Sequence, residues 1–334
     1  MRSDSEQLQL EALEQPKWAS AFGRDRYGLW ADIALEHVTR RRRFGILSPR
    51  RKESRKVTQR VRWIAPGQMT MGSPAGEDGR FENEGPQHLV TLSEGYWLFD
   101  TPCTQELWQV VMGENPSRFQ DPLRPVESID WSQTSEFSSR LSEQVPQLVF
   151  RLPTEAQWEY ACRAGTTSAI YTGELKILGD ANAPELDAIA WYGGNSGVEY
   201  DLDDGEALGY LSDKQYSFEK SGTRCVKLKK PNIWGLYDML GNVWEWCRDG
   251  ERSYDEESIA DPIGPTEEGA GRVIRGGGWS NRAQDVRAAY RSAVDPGGRG
   301  GNLGFRCVCV QAPNEVSASR GVEGRDGPET QRTQ

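Results

Sequence analysis

The chain has 334 residues, 36% of them hydrophobic, and a formal net charge of −10, which supports one large domain with appendages or two modest ones and disfavours nucleic acid as the main partner. No apolar run approaches the roughly 20 residues that cross a bilayer, so a membrane span is excluded. Six cysteines without a Cys-x-x-Cys pair, and two histidines far apart (His37 and His88), leave a zinc site, a histidine-rich iron site or a histidine-dependent hydrolase without support.

Residues 1–17 are polar and acidic, read as a flexible leader, and lack the apolar stretch of a secretory signal, so the expected location is cytoplasmic. Residues 18–64 read as an N-terminal β-hairpin. Residues 27–33 have strand composition, and Val57, Gln59, Val61 and Trp63 alternate along residues 57–64. The hairpin's tip is a loop at 40–56 with nine basic residues against one acid. It reads either as a solvated loop or as a docking site for an acidic partner.

Residues 65–311 form the main domain. Twelve Trp and 36 Gly in the chain predict short strands, many tight turns and a core filled largely by indoles. Two helices are expected. Residues 131–144 place Phe137 and Leu141 four apart, and in residues 153–163 Thr154 and Gln157 have the spacing of a capping box, with Gly165 ending the helix. Residues 172–230 read as long surface excursions, and residues 312–334 as a disordered tail.

Four ordered motifs carry a resemblance. They are Met71-Gly72-Ser73 with Glu84-Gly85-Pro86-Gln87-His88; Arg151-Leu152-Pro153-Thr154-Glu155 running on to Tyr160-Ala161; Trp234-Gly235-Leu236-Tyr237 running on to Gly241-Asn242-Val243-Trp244-Glu245-Trp246; and Arg275-Gly276-Gly277-Gly278-Trp279 closing with Gly304-Phe305-Arg306-Cys307. The set resembles the formylglycine-generating enzyme and sulfatase-modifying-factor family over residues 60–310. The resemblance implies an α+β, C-type-lectin-like fold of short twisted strands, two helices and much irregular backbone. It also implies a candidate structural calcium at Asn242, the Val243 carbonyl and Glu245, oxygen donors such as a hard cation requires. The competing reading of Glu245 is an ion pair with Arg275 or Arg306. Cys162 and Cys307 are similar in position to a bridged pair of secreted members and are expected to lie close together, here as reduced thiols.

The formylglycine-generating enzymes oxidise a substrate cysteine with copper held by two cysteines that follow the Arg-Gly-Gly motif. A soft cuprous ion needs such thiolates, yet no cysteine occurs between Cys247 and Cys307, and Asn281 stands at the first ligand position. The iron-dependent sulfoxide synthases of the same fold carry a histidine-rich N-terminal bundle, for which the first 60 residues are too short. The segment 275–306 most resembles the variable proteins of diversity-generating retroelements. Among its framework positions stand residue types reached by randomising adenines in asparagine-type codons. The ligand-binding candidates are therefore Trp279, Ser280, Asn281, Arg282, Asp285, Tyr290, Ser292, Gly297, Gly298, Gly300, Gly301 and Asn302. Trp279 and Tyr290 are expected as aromatic anchors and Arg282 and Asp285 as charged contacts to a protein or other macromolecular ligand, with no cofactor required. The alternatives are a formylglycine-generating-type oxidoreductase acting on protein cysteine, and a scaffold module of a signalling or defence operon docked through residues 40–56.

Overall fold

The computed structural model describes residues 14–40, 52–267 and 269–313. In chain order the elements are β1 (Ala21–Asp25), β2 (Gly28–Arg40), β3 (Lys52–Ile64), β4 (Gly67–Met71), β5 (His88–Leu92), β6 (Tyr96–Phe99), α1 (Gln105–Met112), α2 (Trp131–Gln144), β7 (Leu148–Arg151) and α3 (Glu155–Arg163). A long irregular stretch then leads to β8 (Trp244–Gly250), β9 (Ile259–Ala260), β10 (Arg272–Arg275), β11 (Arg291–Val294), β12 (Leu303–Gly304) and β13 (Val308–Gln311). None of the described helices is long and apolar enough to cross a membrane.

Six strands form the main sheet in the order β1-β2-β3-β6-β13-β7, beside a four-stranded sheet β11-β10-β8-β12 and a three-stranded sheet β4-β5-β9. Successive side chains of a strand point to opposite faces, and β6 shows what that does here. Tyr96 and Leu98 enter one core cluster with Trp158, Tyr160 and Val308. Trp97 and Phe99 pack on another, with Trp108, Phe137, Trp246 and Phe305. The sheet therefore has a core on each face. Aliphatic side chains make up most of both, and the buried indoles are Trp158 in the first and Trp108, Trp244 and Trp246 in the second, so the tryptophan content overstates the share of indoles in the core.

β2 and β3 pair antiparallel from Trp30↔Arg62 to Arg40↔Lys52. The strands are longer than the sequence suggests, so Arg40 and residues 52–56 of the basic segment lie in the ladder, and residues 41–51 fall outside the described residues. Residues 18–64 are not a separate unit. β3 pairs with β6 from Val61↔Phe99 to Ile64↔Tyr96, and the boundary drawn at 64/65 runs through one sheet. The leader 1–17 and the tail 312–334 lie almost wholly outside the described residues.

The described residues hold three α-helices, one more than expected. Thr154 accepts from the Gln157 N–H at 3.1 Å while the Gln157 side chain accepts from the Thr154 N–H at 3.0 Å, the reciprocal cap that starts α3. Asp130 and Gln133 do the same for α2. Ala164, in the left-handed region, terminates α3 one residue before Gly165. The extra helix, α1, is capped by Thr104 and closed by Gly113 in the left-handed conformation. Its eight residues are too few for a periodic pattern to stand out.

Candidate functional site

A lattice of buried ion pairs builds the frame of the site. Arg275, at the end of β10, is fully buried; its guanidinium pairs with Glu159 and approaches Glu155 at 3.2 Å. It also donates to the carbonyls of Ala288 and Tyr290 at 3.0 and 2.6 Å. Arg163 holds the other side of Glu159 at 2.8 Å, and Arg291 grips Glu155 through two bonds of 2.6 Å. Burial alone would raise the Glu159 carboxyl, but Arg163 and Arg275 hold it below the ordinary carboxylate range. These contacts fix α3, β10 and β11 to one another.

After β10 the chain turns sharply. Gly276 and Gly277 have φ of 93° and 71°, and a Cβ at either would stand 2.8 Å from the Met239 carbonyl or 2.7 Å from that of Asp285. Trp279 then enters a small third core, its ring centroid 5.3 Å from that of Phe119 and its indole N–H donating to the Gly301 carbonyl at 2.9 Å. It is 2% exposed. Asn281 accepts from the Gly278 N–H at 3.0 Å and donates to Asp285 at 3.2 Å, which locks residues 278–285 into a compact turn. Arg287, fully buried, pairs with Glu84 and Glu77 and donates to the Gly79 carbonyl. This draws the 77–84 loop over and brings the Phe81 ring to 5.0 Å from that of Tyr290.

The result is an open concavity of about 500 Å³ lined by Phe81, Tyr210, Ser280, Asn281, Arg282, Gln284, Asp285, Tyr290 and Asn302. The Tyr210 hydroxyl closes one side by donating to the Ser280 carbonyl at 2.8 Å. Asn302 donates to the Ser280 hydroxyl at 3.1 Å. Three aromatic rings thus flank a floor of hydroxyl and amide groups, with an exposed Arg282 guanidinium 3.8 Å from Asp180 at the rim. Burial pushes the Asp285 carboxyl above its usual range and the Tyr290 hydroxyl up to about 12, so the phenol is a neutral hydrogen-bonding group at physiological pH.

Six of the sequence candidates, Ser280, Asn281, Arg282, Asp285, Tyr290 and Asn302, meet here. The others do not. Trp279 is framework, not a surface anchor, because its indole is buried and bonded. Ser292 lies in β11 opposite Ile274. Gly297 and Gly298 form a turn around Asp295. The carbonyls of Gly300 and Gly301 accept from Ser128 and Trp279. Sequence reasoning missed Phe81, Tyr210 and Gln284. Phe81 stands three residues before the quoted Glu84 motif, a local hint, whereas Tyr210 sits in the irregular 172–230 stretch with no periodicity to mark it.

The donor set expected for calcium does not fit a hard cation. Glu245 accepts Arg306 through both oxygens, the shortest bonds being 2.7 Å, and also the Trp158 indole N–H at 2.7 Å. The Asn242 oxygen takes the Arg224 N–H at 2.9 Å, and its amide donates to the Arg224 carbonyl and to Asp238. Val243 is buried beside them. Among the described residues no group of three or more His, Cys, Asp or Glu is placed to hold a metal. Of the two readings of Glu245, the ion pair with Arg306 is the one present.

Cys162 and Cys307, expected as reduced thiols, are both free and buried. Cys162 belongs to the first core and Cys307, with Cys103 and Cys309, to the second. All six cysteines are free, and only Cys225 is partly exposed. Burial raises every one of these thiols, Cys162 and Cys307 to about 12 and Cys225 to about 11, the last helped by neighbouring Asp121. Reactive cysteines need the opposite shift. In the native protein at pH 7.5, alkylation by iodoacetamide is therefore expected to be slow, to reach Cys225 first and to accelerate as pH rises. Peptide mass mapping checks this; rapid modification of any second cysteine without unfolding would contradict it.

The model of the sulfatase-modifying factor enzyme 1-like domain matches residues 47–310. The formylglycine-generating enzyme of Streptomyces coelicolor is 35% identical over 244 residues, covering 69% of each chain. The chaperone protein LppX of Paenibacillus barcinonensis is 29% identical over 251 residues, covering 66% of this chain and 81% of that protein. Among solved structures, variable protein 1 of Treponema denticola superposes with a TM-score of 0.59 at 31% identity, covering 76% of this chain and 95% of the other.

Proposed function

The chain belongs to the sulfatase-modifying factor enzyme 1-like domain family, with its C-type-lectin-like α+β fold, and from that premise we propose that it is a non-catalytic binding protein whose working surface is the concavity around Ser280, Arg282 and Tyr290. The observation that carries this reading is convergence. Six residues chosen from the 279–302 segment for their codon type line one concavity, while the arginines and glycines between them hold the backbone. Side chains displayed on loops over a rigid frame are how such scaffolds bind. The concavity suits a protein or other macromolecular ligand that inserts a side chain among Phe81, Tyr210 and Tyr290. The likeness to a variable protein supports assigning the segment to a diversity-generating retroelement. Free cysteines throughout support a reducing compartment such as the cytoplasm.

The flanking DNA tests the retroelement assignment. A reverse transcriptase gene and a near-copy of the codons for residues 280–302, differing at adenines, are expected beside the gene. Their absence would leave a binding protein that is not diversified.

The identity to formylglycine-generating enzymes favours a second reading, oxidation of a protein cysteine. The residues present do not fit copper: no cysteine lines the concavity, and the side chain of Asn281 is bonded to Gly278 and Asp285. Incubating the protein with copper, oxygen and a Cys-x-Pro-x-Arg peptide is expected to leave the peptide's mass unchanged. Conversion of the cysteine would overturn the non-catalytic reading.

A further inference from the structure

A second cavity, of about 240 Å³, lies beyond the surface described above, between the start of β6, the end of β7, the first turn of α3 and β8. Two arginines line it, Arg151 from β7 and Arg248 from β8. Neither guanidinium makes an ion pair or a hydrogen bond with any described residue, although the Arg151 Nε is sealed from solvent. Both arginines are half-buried, and the fully buried ones of the frame are treated differently. Arg163, Arg275, Arg287, Arg291 and Arg306 are all buried, and each is held by at least one carboxylate. Burial and the neighbouring charge of Arg248 both make the Arg151 guanidinium a weaker base than usual.

Two carboxylates also line the cavity, and although the charge of Glu94 acts on Arg151, neither forms an ion pair with the arginines. Asp261 is engaged by Ser93, whose N–H and hydroxyl both donate to it. Glu94 is exposed and lies beyond ion-pair distance of either arginine. No carboxylate of the described residues reaches ion-pair distance of either guanidinium, so their N–H groups stand open to an oxyanion entering the cavity. The guanidinium fork matches carboxylate and phosphate oxygens in geometry as well as charge.

We propose that the Arg151–Arg248 cavity is a binding site for a small oxyanion, a carboxylate or a phosphate. Thr154 and Gln157 add polar side chains to the wall, and Ile263 and Val310 an apolar one, so the site suits an anionic group carried on a small organic body. The site is independent of the concavity around Tyr290 and stands whether or not that surface binds a macromolecule.

Thermal unfolding of the full chain at constant ionic strength tests it, with inorganic phosphate or acetate replacing chloride. One of the two is expected to raise the midpoint saturably, and the one that half-saturates at the lower concentration identifies the preferred oxyanion. Arg248→Gln should abolish the saturable rise or weaken half-saturation about tenfold or more, with the near-ultraviolet circular dichroism unchanged. Arg151→Gln should do the same; if it fails to fold, Arg248→Gln alone decides. No rise with either anion, or an equal rise in wild type and Arg248→Gln, would overturn the proposal.

Discussion

Arg306→Ala is expected to destabilise the protein by about 3–5 kcal/mol, the range for breaking a fully buried ion pair from one side. Arg306 has no exposure to solvent. It grips Glu245 through Nε and Nη2 and also donates to the carbonyls of Phe99, Tyr237 and Asp238. Truncation leaves the Glu245 carboxylate in the core with only the Trp158 indole, and three carbonyls without this donor. Urea denaturation of the two proteins reads the difference directly. A loss below about 1 kcal/mol, the ordinary scale of a single hydrogen bond, would mean that water or another cation replaces the guanidinium. Because Arg306 occupies the Glu245 oxygens, millimolar calcium or a chelator should leave the wild-type midpoint unchanged. A saturable rise with calcium that disappears in Glu245→Gln would restore a cation site.

Legibility in the sequence followed interaction range. The Thr154–Gln157 cap and the alternation of Val57 to Trp63 depend on neighbours in the chain, and both are legible. Glu245 needed a partner 61 residues away; sequence offered two arginines and could not choose. Glu84, Glu155 and Glu159 fared worse. Charged residues belong on surfaces by default, and apart from the local Arg163–Glu159 pair only the fold shows them neutralised, by arginines 116 to 203 residues distant. The concavity combined both kinds of signal. Its floor came from one contiguous segment and was legible, but its walls, Phe81 and Tyr210, arrive from loops that Arg287 and the irregular 172–230 stretch bring into place.

Trp279 separates a display surface from an ordinary folded loop. Trp279→Ala should cost about 3–5 kcal/mol, as removing a buried large aromatic does, because it empties the space against Phe119 and leaves the Gly301 carbonyl without its donor. One residue further on, Ser280 is partly exposed, and Arg282 reaches solvent past a loose contact with Asp180. Changing either to a range of polar and aromatic residues should shift stability by no more than about 0.5 kcal/mol. Asn281 falls between, since its amide ties Gly278 to Asp285, and Asn281→Ala should cost about 1 kcal/mol. A scaffold that tolerates diversity needs this profile: steep at the residue whose indole anchors the turn, flat at the residues the turn presents. Denaturation midpoints across the three positions measure it. If Ser280 and Arg282 prove as intolerant as Trp279, the concavity's residues serve the fold, and the working surface must be sought elsewhere on the molecule.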